Sequence, residues 1–194
     1  MRSFKLITKI FFATLFGIAA CTTTTANLHY ADTAHSDTTY TVSTQQLKSD
    51  RIPDSVFKLV ELRHLSINGM DCDYGDRTNC WVLKQIPNDI KNLKKLTSLR
   101  LTLSNITAIP MELAELNNLT LIDLTDNAAL TDIYNLTKLS NLKYLYLYGC
   151  GLTKLPDNIG DLKNLKELGL VGNHIDKKEM AKIKNALPNC NIKF

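Results

Sequence analysis

The sequence lacks the short motifs that mark common enzyme active sites. It contains no Gly-x-Ser-x-Gly nucleophile motif, no His-Glu-x-x-His metal motif and no glycine-rich phosphate loop. The usual sequence signals for acyl transfer, zinc-dependent hydrolysis and phosphate binding are therefore missing. We expect a protein that is not an enzyme and that uses neither a cofactor nor a metal.

An excess of charge of one sign is also missing once the first 20 residues are set aside. The chain has 23 basic and 19 acidic residues, but Arg2, Lys5 and Lys9 lie in that acid-free start. The remainder carries 20 basic residues against 19 acidic ones. This balance gives no electrostatic footprint for nucleic acid or for an anionic membrane surface, so we expect no nucleic-acid partner.

The apolar run near the start of the chain is too short for a membrane-spanning helix. Basic residues are followed by the apolar run Ile10–Ala20 and then by Cys21, an order typical of a signal peptide over residues 1–20. The stretch "GIAAC" resembles a bacterial lipobox, and the resemblance implies that Cys21 becomes the lipidated first residue of the mature protein. An ordinary secretory signal and an uncleaved anchor helix are the alternatives.

A lipobox implies a lipid anchor in the bacterial cell envelope. Several acyl chains hold a protein firmly at a membrane, since each buried CH₂ contributes about 0.8 kcal/mol. Thr22 follows the cysteine, where Asp would be the usual signal for retention in the inner membrane. The outer membrane is therefore favoured over the inner membrane.

The next residues have the composition of a tether. Residues 22–45 are rich in Thr, with few large apolar side chains and no helical or strand periodicity. Such a segment cannot bury enough surface to offset the entropy lost on ordering. We therefore predict a disordered tether over residues 21–48 and one folded domain over residues 49–194.

The folded part repeats a pattern of leucines. The pattern recurs at steps of 23 residues, with an earlier copy at Leu62, Leu65 and Ile67 that lies 34 residues before the next. The first unit therefore holds 11 extra residues. The four regular copies are Leu96, Leu99 and Leu101; Leu119, Ile122 and Leu124; Leu142, Leu145 and Leu147; and Leu165, Leu168 and Leu170.

These units resemble the leucine-rich repeat family, whose pattern is LxxLxLxxNxLxxLPxxIxxLxx. One position after each strand would be the family's Asn position, held here by Ser104, Asn127, Cys150 and Asn173. The resemblance implies an α/β solenoid, with short parallel strands on a concave face and helical or irregular segments on the convex side. It also implies recognition of a protein partner through the concave face. At the Asn position, the side chain could satisfy backbone groups left unpaired where the chain leaves the strand.

The C-terminal residues 176–194 predict a cap of one helix and one strand. Asp176 is a candidate N-cap, and Pro188 would end the helix. Leu187, Cys190 and Ile192 match the three leucine positions of a further unit. The cap would cover the open end of the core, with Cys190 as a small buried hydrophobe.

The insertion over residues 71–81 is bracketed by Cys72 and Cys80. After an export signal, two cysteines in a polar loop indicate a disulfide, with two free thiols as the alternative. The loop also holds three aspartates, but the EF-hand spacing and its closing Glu are absent, so a solvated acidic loop is favoured over a calcium site.

Residues flanking the inward leucines would face out from the concave side. Only the strand of the third regular copy is aromatic at all three outward positions, and Gly169 leaves space beside its central tyrosine. Aromatic and Arg side chains dominate binding energy at interfaces. The candidate partner-binding residues are Tyr144, Tyr146, Tyr148, Arg100, Asp123 and His64.

The leading hypothesis is a monomeric, non-catalytic protein-binding module on a lipid tether. The alternative is a structural envelope or surface lipoprotein without a dedicated ligand, because tyrosine also favours strands. An enzyme is disfavoured because repeats fill the folded length. Cys150, which could approach His174 in the adjacent unit, sits at the inward Asn position.

Overall fold

The computed structural model describes residues 38–69 and 81–194. Its strands form one parallel sheet in which each strand pairs with the next along the chain. The strands are β1 Thr38–Ser43, β2 Leu62–Asn68, β3 Ser98–Thr102, β4 Leu121–Asp123, β5 Tyr144–Tyr146, β6 Glu167–Gly169 and β7 Asn191–Lys193. The α-helices are α1 Thr44–Leu47 and α2 Lys177–Ala186. This arrangement confirms the predicted solenoid.

Register between strands places the leucine pattern on one side of the sheet. Leu65 pairs with Leu99, which pairs with Ile122, and the row continues through Leu145 and Leu168. All five side chains are buried. Full burial of such a side chain contributes about 1.5–3 kcal/mol. Each unit obtains that burial only from its neighbours, as expected for a solenoid.

Short 3₁₀ turns cover the convex side of this core. Pro87 and Pro110 precede two of these turns, with φ near −65°. In the turns that follow, the side chains of Ile90 and Leu113 are buried. Proline suits a position before the first turn because its missing N–H would have no partner there. The turns are Val56–Lys58, Asn88–Asn92, Met111–Glu115, Tyr134–Lys138 and Ile159–Asp161.

The Asn position works as the sequence predicts. Asn127 Nδ2 donates to the carbonyl oxygens of Leu101 and Leu124, both at 2.8 Å, and its Oδ1 accepts from the Ile106 N–H at 3.1 Å. Two units on, Asn173 makes the same three bonds with the equivalent backbone groups. A buried backbone group left without a partner would cost about 1–3 kcal/mol, so these amides support each strand end.

The residue just before the Asn position takes a left-handed backbone in every regular unit. The φ values rise along the chain, from +50° at Leu103 and +58° at Asp126 to +61° at Gly149 and +80° at Gly172. Glycine adopts this region freely, whereas Leu103 pays roughly 1–2 kcal/mol for it. The leucine pattern alone gave no sign of this constraint.

At the N-terminal end, the predicted tether is wrong for residues 38–48. These residues form β1, which pairs with β2, and α1, whose N-cap Ser43 accepts a bond from the Gln46 N–H. Tyr40 and Val42 of β1 pack against the core. Thr, Tyr and Val are good strand formers, and β2 supplies an edge with which they can pair. Composition alone therefore did not predict that this segment forms a strand.

Other predictions for the ends and the insertion lie outside the described residues. These concern the signal peptide over residues 1–20, lipidation at Cys21, the tether up to residue 37 and the disulfide between Cys72 and Cys80. Within residues 38–69 and 81–194, no helix has the length and apolarity needed to cross a membrane.

The C-terminal helix and strand are confirmed, but the predicted register of the strand is wrong by two residues. Ile192 pairs with Leu168, not with Leu170. The reason is that Leu187 stays with α2, where its N–H donates to the Ile183 carbonyl at 3.0 Å. The strand therefore begins two residues later than the leucine spacing predicts. Cys190 is half-buried against the core, and burial raises its pKa to about 11.

Candidate binding surface

Five of the six candidate partner-binding residues lie on strands of the sheet, and Tyr148 lies two residues beyond the end of β5. Arg100 pairs with Asp123 and Asp123 with Tyr146, so these three form the central column. Beyond Tyr146, this column continues through Gly169 to Lys193. Whether these side chains bind a partner stays a prediction.

His64 is remote from the tyrosines. It lies on β2, three strands from β5, which corresponds to about 14 Å at the usual spacing of neighbouring strands. Its neighbours in the register are Thr39 and Ser98. The structure therefore brings the tyrosines together with Asp123 but leaves His64 at the other end of the face.

Two of the three tyrosines stack on one another. The ring centroids of Tyr146 and Tyr148 are 5.7 Å apart, and the ring planes differ by 13°. Such a pair contributes about 0.5–1.5 kcal/mol beyond the area that it buries. The two rings and Tyr144, all half-buried, form what we call the tyrosine row: Tyr144, Tyr146 and Tyr148.

Gly169 makes room for Tyr148, not for Tyr146 as the sequence suggested. A Cβ atom at residue 169 would lie 2.2 Å from Tyr148 Cζ and 2.6 Å from both Cε1 and Oη. No side chain larger than hydrogen therefore fits beneath the ring in this position. The ring of Tyr148 lies over the backbone of the next strand, and this contact holds the tyrosine row in place.

An ion pair borders the tyrosine row on one side. Lys193 Nζ lies 2.6 Å from Glu167 Oε1, and this hydrogen bond raises the pKa of Lys193. The pKa of Tyr146 is also raised, first by partial burial and then by the Glu167 carboxylate. An ordinary tyrosine hydroxyl is already protonated at neutral pH, and the upward shift leaves Tyr146 in that state, so its hydroxyl can donate a hydrogen bond.

A second ion pair borders the row on the other side. Arg100 Nη1 lies 3.9 Å from Asp123 Oδ2, a long contact between side chains that are 50% and 15% exposed. Asp123 is held more closely by Thr125, whose N–H and Oγ1 donate to Oδ1 at 3.1 and 2.7 Å. The ion pair contributes little to stability, as expected for an exposed pair.

Cys150 faces inward, as its place in the repeat predicts. Its Sγ donates to the carbonyl oxygens of Leu124 at 3.2 Å and Tyr148 at 3.5 Å. Burial raises the pKa of the thiol to about 11, which leaves little of the nucleophilic thiolate at neutral pH. Among residues 38–69 and 81–194, no group of three or more His, Cys, Asp or Glu side chains is placed to hold a metal ion.

Neither Lys193 nor the outward-facing Val171 was among the candidate contacts, although both shape this surface. Lys193 was overlooked because the last strand was read two residues out of register. The polar–apolar–polar order of Asn191, Ile192 and Lys193 was the signal that could have found it. Val171 is 49% exposed and its carbonyl accepts from the Gly149 N–H, so it extends the apolar surface beyond Tyr148.

Replacing Gly169 by alanine tests the seating of Tyr148. We expect Gly169→Ala to displace the ring and to lower the free energy of unfolding by about 1 kcal/mol, the value of a lost aromatic contact. In a Tyr148→Ala background, the same change should have almost no effect, because the ring is already gone. Urea unfolding of the two single variants and the double variant measures this coupling.

Gly160→Ala is the matched control for the alanine side chain itself. Its added Cβ would approach the Ala186 carbonyl oxygen at 3.0 Å and no aromatic ring, so its effect should be independent of Tyr148. Additive effects of Gly169→Ala and Tyr148→Ala would contradict the contact described here.

No family model matches the chain, and no curated protein matches its sequence. Among solved structures, a leucine-rich repeat protein of Leptospira interrogans is similar over 74% of this chain, with 31% identity and a TM-score of 0.65. An internalin of Listeria monocytogenes is similar over 80%, with 20% identity and a TM-score of 0.60. The leucine-rich repeat domain of the type III effector XopL is also similar over 80%, with 22% identity and a TM-score of 0.56.

The chain spans only part of the first two of these proteins, 34% of the Leptospira protein and 41% of the internalin. Their similarity therefore concerns the repeat unit and its stacking. It agrees with the parallel sheet, the buried leucine rows and the Asn position described above. The protein has the leucine-rich repeat fold, in common with these bacterial leucine-rich repeat proteins.

Proposed function

We propose that the protein is a non-catalytic binding module that holds a protein partner on its concave face. Solenoids of this kind offer an extended concave surface, and leucine-rich repeats are in general used for interaction. The partner would contact the tyrosine row, with Arg100, Asp123 and His64 as further contacts toward the N-terminal end. The module would act as a monomer.

The observation that carries the proposal is the tyrosine row itself. Aromatic side chains with polar tips supply large contact areas at a low cost in conformational entropy, and they recur as interface hot spots. Two rings of the row are stacked, and one rests on a glycine. A partner would therefore meet side chains that are already ordered, which lowers the entropic cost of binding.

We further propose that the module is anchored through a lipidated Cys21 in the bacterial envelope, with the outer membrane favoured. The support is the lipobox-like stretch "GIAAC" behind a basic and apolar start. The segment between Cys21 and β1 would give the concave face freedom to reach its partner.

Site-specific crosslinking in cells tests partner capture. A photoreactive phenylalanine analogue at Tyr146 should crosslink to a discrete protein on illumination of intact bacteria. The same analogue at Tyr134 is the matched control, because Tyr134 is a tyrosine on a convex turn and is 51% exposed. It should not give that product.

Two results would contradict the proposal. One is the same set of abundant neighbours from both positions, which would favour a structural envelope protein. The other is a product at Tyr146 that persists at equal yield when Tyr144 and Tyr148 are replaced by alanine.

Metabolic labelling with palmitate tests the anchor. The wild-type chain, made in a bacterium, should incorporate the label and remain with the outer-membrane fraction, whereas Cys21→Ser should lose both. Cys190→Ser should behave like wild type, since Cys190 packs against the core at the far end of the sheet. Unlabelled wild-type protein would refute the lipid anchor.

A further inference from the structure

We infer that the tyrosine row receives an uncharged, proline-rich segment of the partner in the polyproline II conformation. This inference rests on the proposed function and specifies the chemistry of the partner. It follows from the charges on the concave face, the backbone beneath the rings, the hydroxyl groups and the length of the row.

Charge on the concave face is balanced locally. Of the outward register positions on β3 to β7, four carry a charged side chain, and these form two pairs: Arg100 with Asp123 and Lys193 with Glu167. The exposed Arg63 lies farther from the row, on β2. A charged segment would lose hydration here without gaining a free opposite charge. The face therefore favours a partner segment without charge.

Backbone groups beneath the row are already paired. On one side of β5 the Leu124 N–H donates to the Tyr146 carbonyl, and on the other the Leu147 N–H donates to the Gly169 carbonyl, both at 2.9 Å. A partner segment on the rings therefore cannot join the sheet. An ordinary extended segment would hold its N–H groups against aromatic rings, whereas proline has no N–H to leave unpaired.

The tyrosine hydroxyl groups of the row can donate hydrogen bonds to acceptors on a partner. A tyrosine hydroxyl is protonated at neutral pH and can donate a hydrogen bond. The carbonyl groups of a polyproline II segment have no internal partners and can accept these bonds. The carbonyl groups of an α-helix are already bonded within the helix, so a helical partner would match the row less well.

Length and shape also agree. Tyr144 and Tyr146 are about 6.6 Å apart along β5, and the rings of Tyr146 and Tyr148 are 5.7 Å apart, so the row spans roughly 12 Å. At about 3.1 Å per residue, a polyproline II segment places about four residues along it. Pro-rich segments dock in grooves lined by aromatic rings because they are already stiff before binding. Val171 offers further apolar contact beside Tyr148.

The test is fluorescence anisotropy of a labelled peptide of about ten prolines with the purified full-length chain. We expect saturable binding that Tyr146→Ala or Tyr148→Ala weakens about tenfold or more. Tyr146→Phe, which keeps the ring but removes the hydroxyl, should weaken binding only about threefold to fivefold. Tyr134→Ala, the convex control, should bind like wild type, and added salt should change affinity by less than about twofold because no charges pair.

Control peptides and a sugar define the contradicting results. A Gly-Ser peptide of equal length should not bind, and a peptide with Asp at alternate positions should bind more weakly. Absence of binding to the proline peptide, or equal binding of the Gly-Ser peptide, would overturn the inference. Binding of a neutral chitin oligosaccharide by a chain that does not bind the proline peptide would overturn the inference and assign the row to glycans. A protein crosslinked at Tyr146 together with a negative peptide result would refute this inference but leave the proposed function intact.

Discussion

The structure depends on one constraint: the leucine stripe of a repeat is buried only when another repeat stacks against it. The row from Leu65 to Leu168 shows how this is met, with one side chain from each strand in direct register. Beyond the ends of β4 and β6, Asn127 and Asn173 bond backbone groups of their own unit and of the unit before. Stability is thereby shared between neighbours, and both open ends must be covered.

Because inward positions hold the frame, outward positions are free to differ from unit to unit. The outward residues of β3 are polar, whereas those of the β5 unit are all tyrosine. Specialisation of one strand still requires the next strand to cooperate, since Tyr148 occupies the space that a side chain at residue 169 would fill. The tyrosine row is therefore a property of two neighbouring units.

The sequence predicts the positions that recur in every repeat, but it does not predict the two terminal strands, where the repeat pattern ends. The 23-residue spacing correctly placed the inward leucines, the outward tyrosines and the Asn position, because each is fixed by contact with an equivalent residue. It failed at β1, whose composition suits a tether until β2 offers it an edge. It failed again at β7, where Leu187 is held by the helix instead of the strand. The contact between Tyr148 and Gly169 depends on side-chain direction, which spacing does not determine.

The central claim is that the leucine-rich solenoid folds stably without the side chains of the tyrosine row. Its most direct test is the free energy of unfolding of a variant in which the row takes the outward residues of β3, Tyr144→Ser, Tyr146→Arg and Tyr148→Thr. The account predicts a cooperative transition and a loss of less than about 2 kcal/mol, the value of the stacked rings and their cross-strand contacts. A loss of about 4 kcal/mol or more, or a transition that is no longer cooperative, would show that the tyrosines are part of the frame and would contradict it.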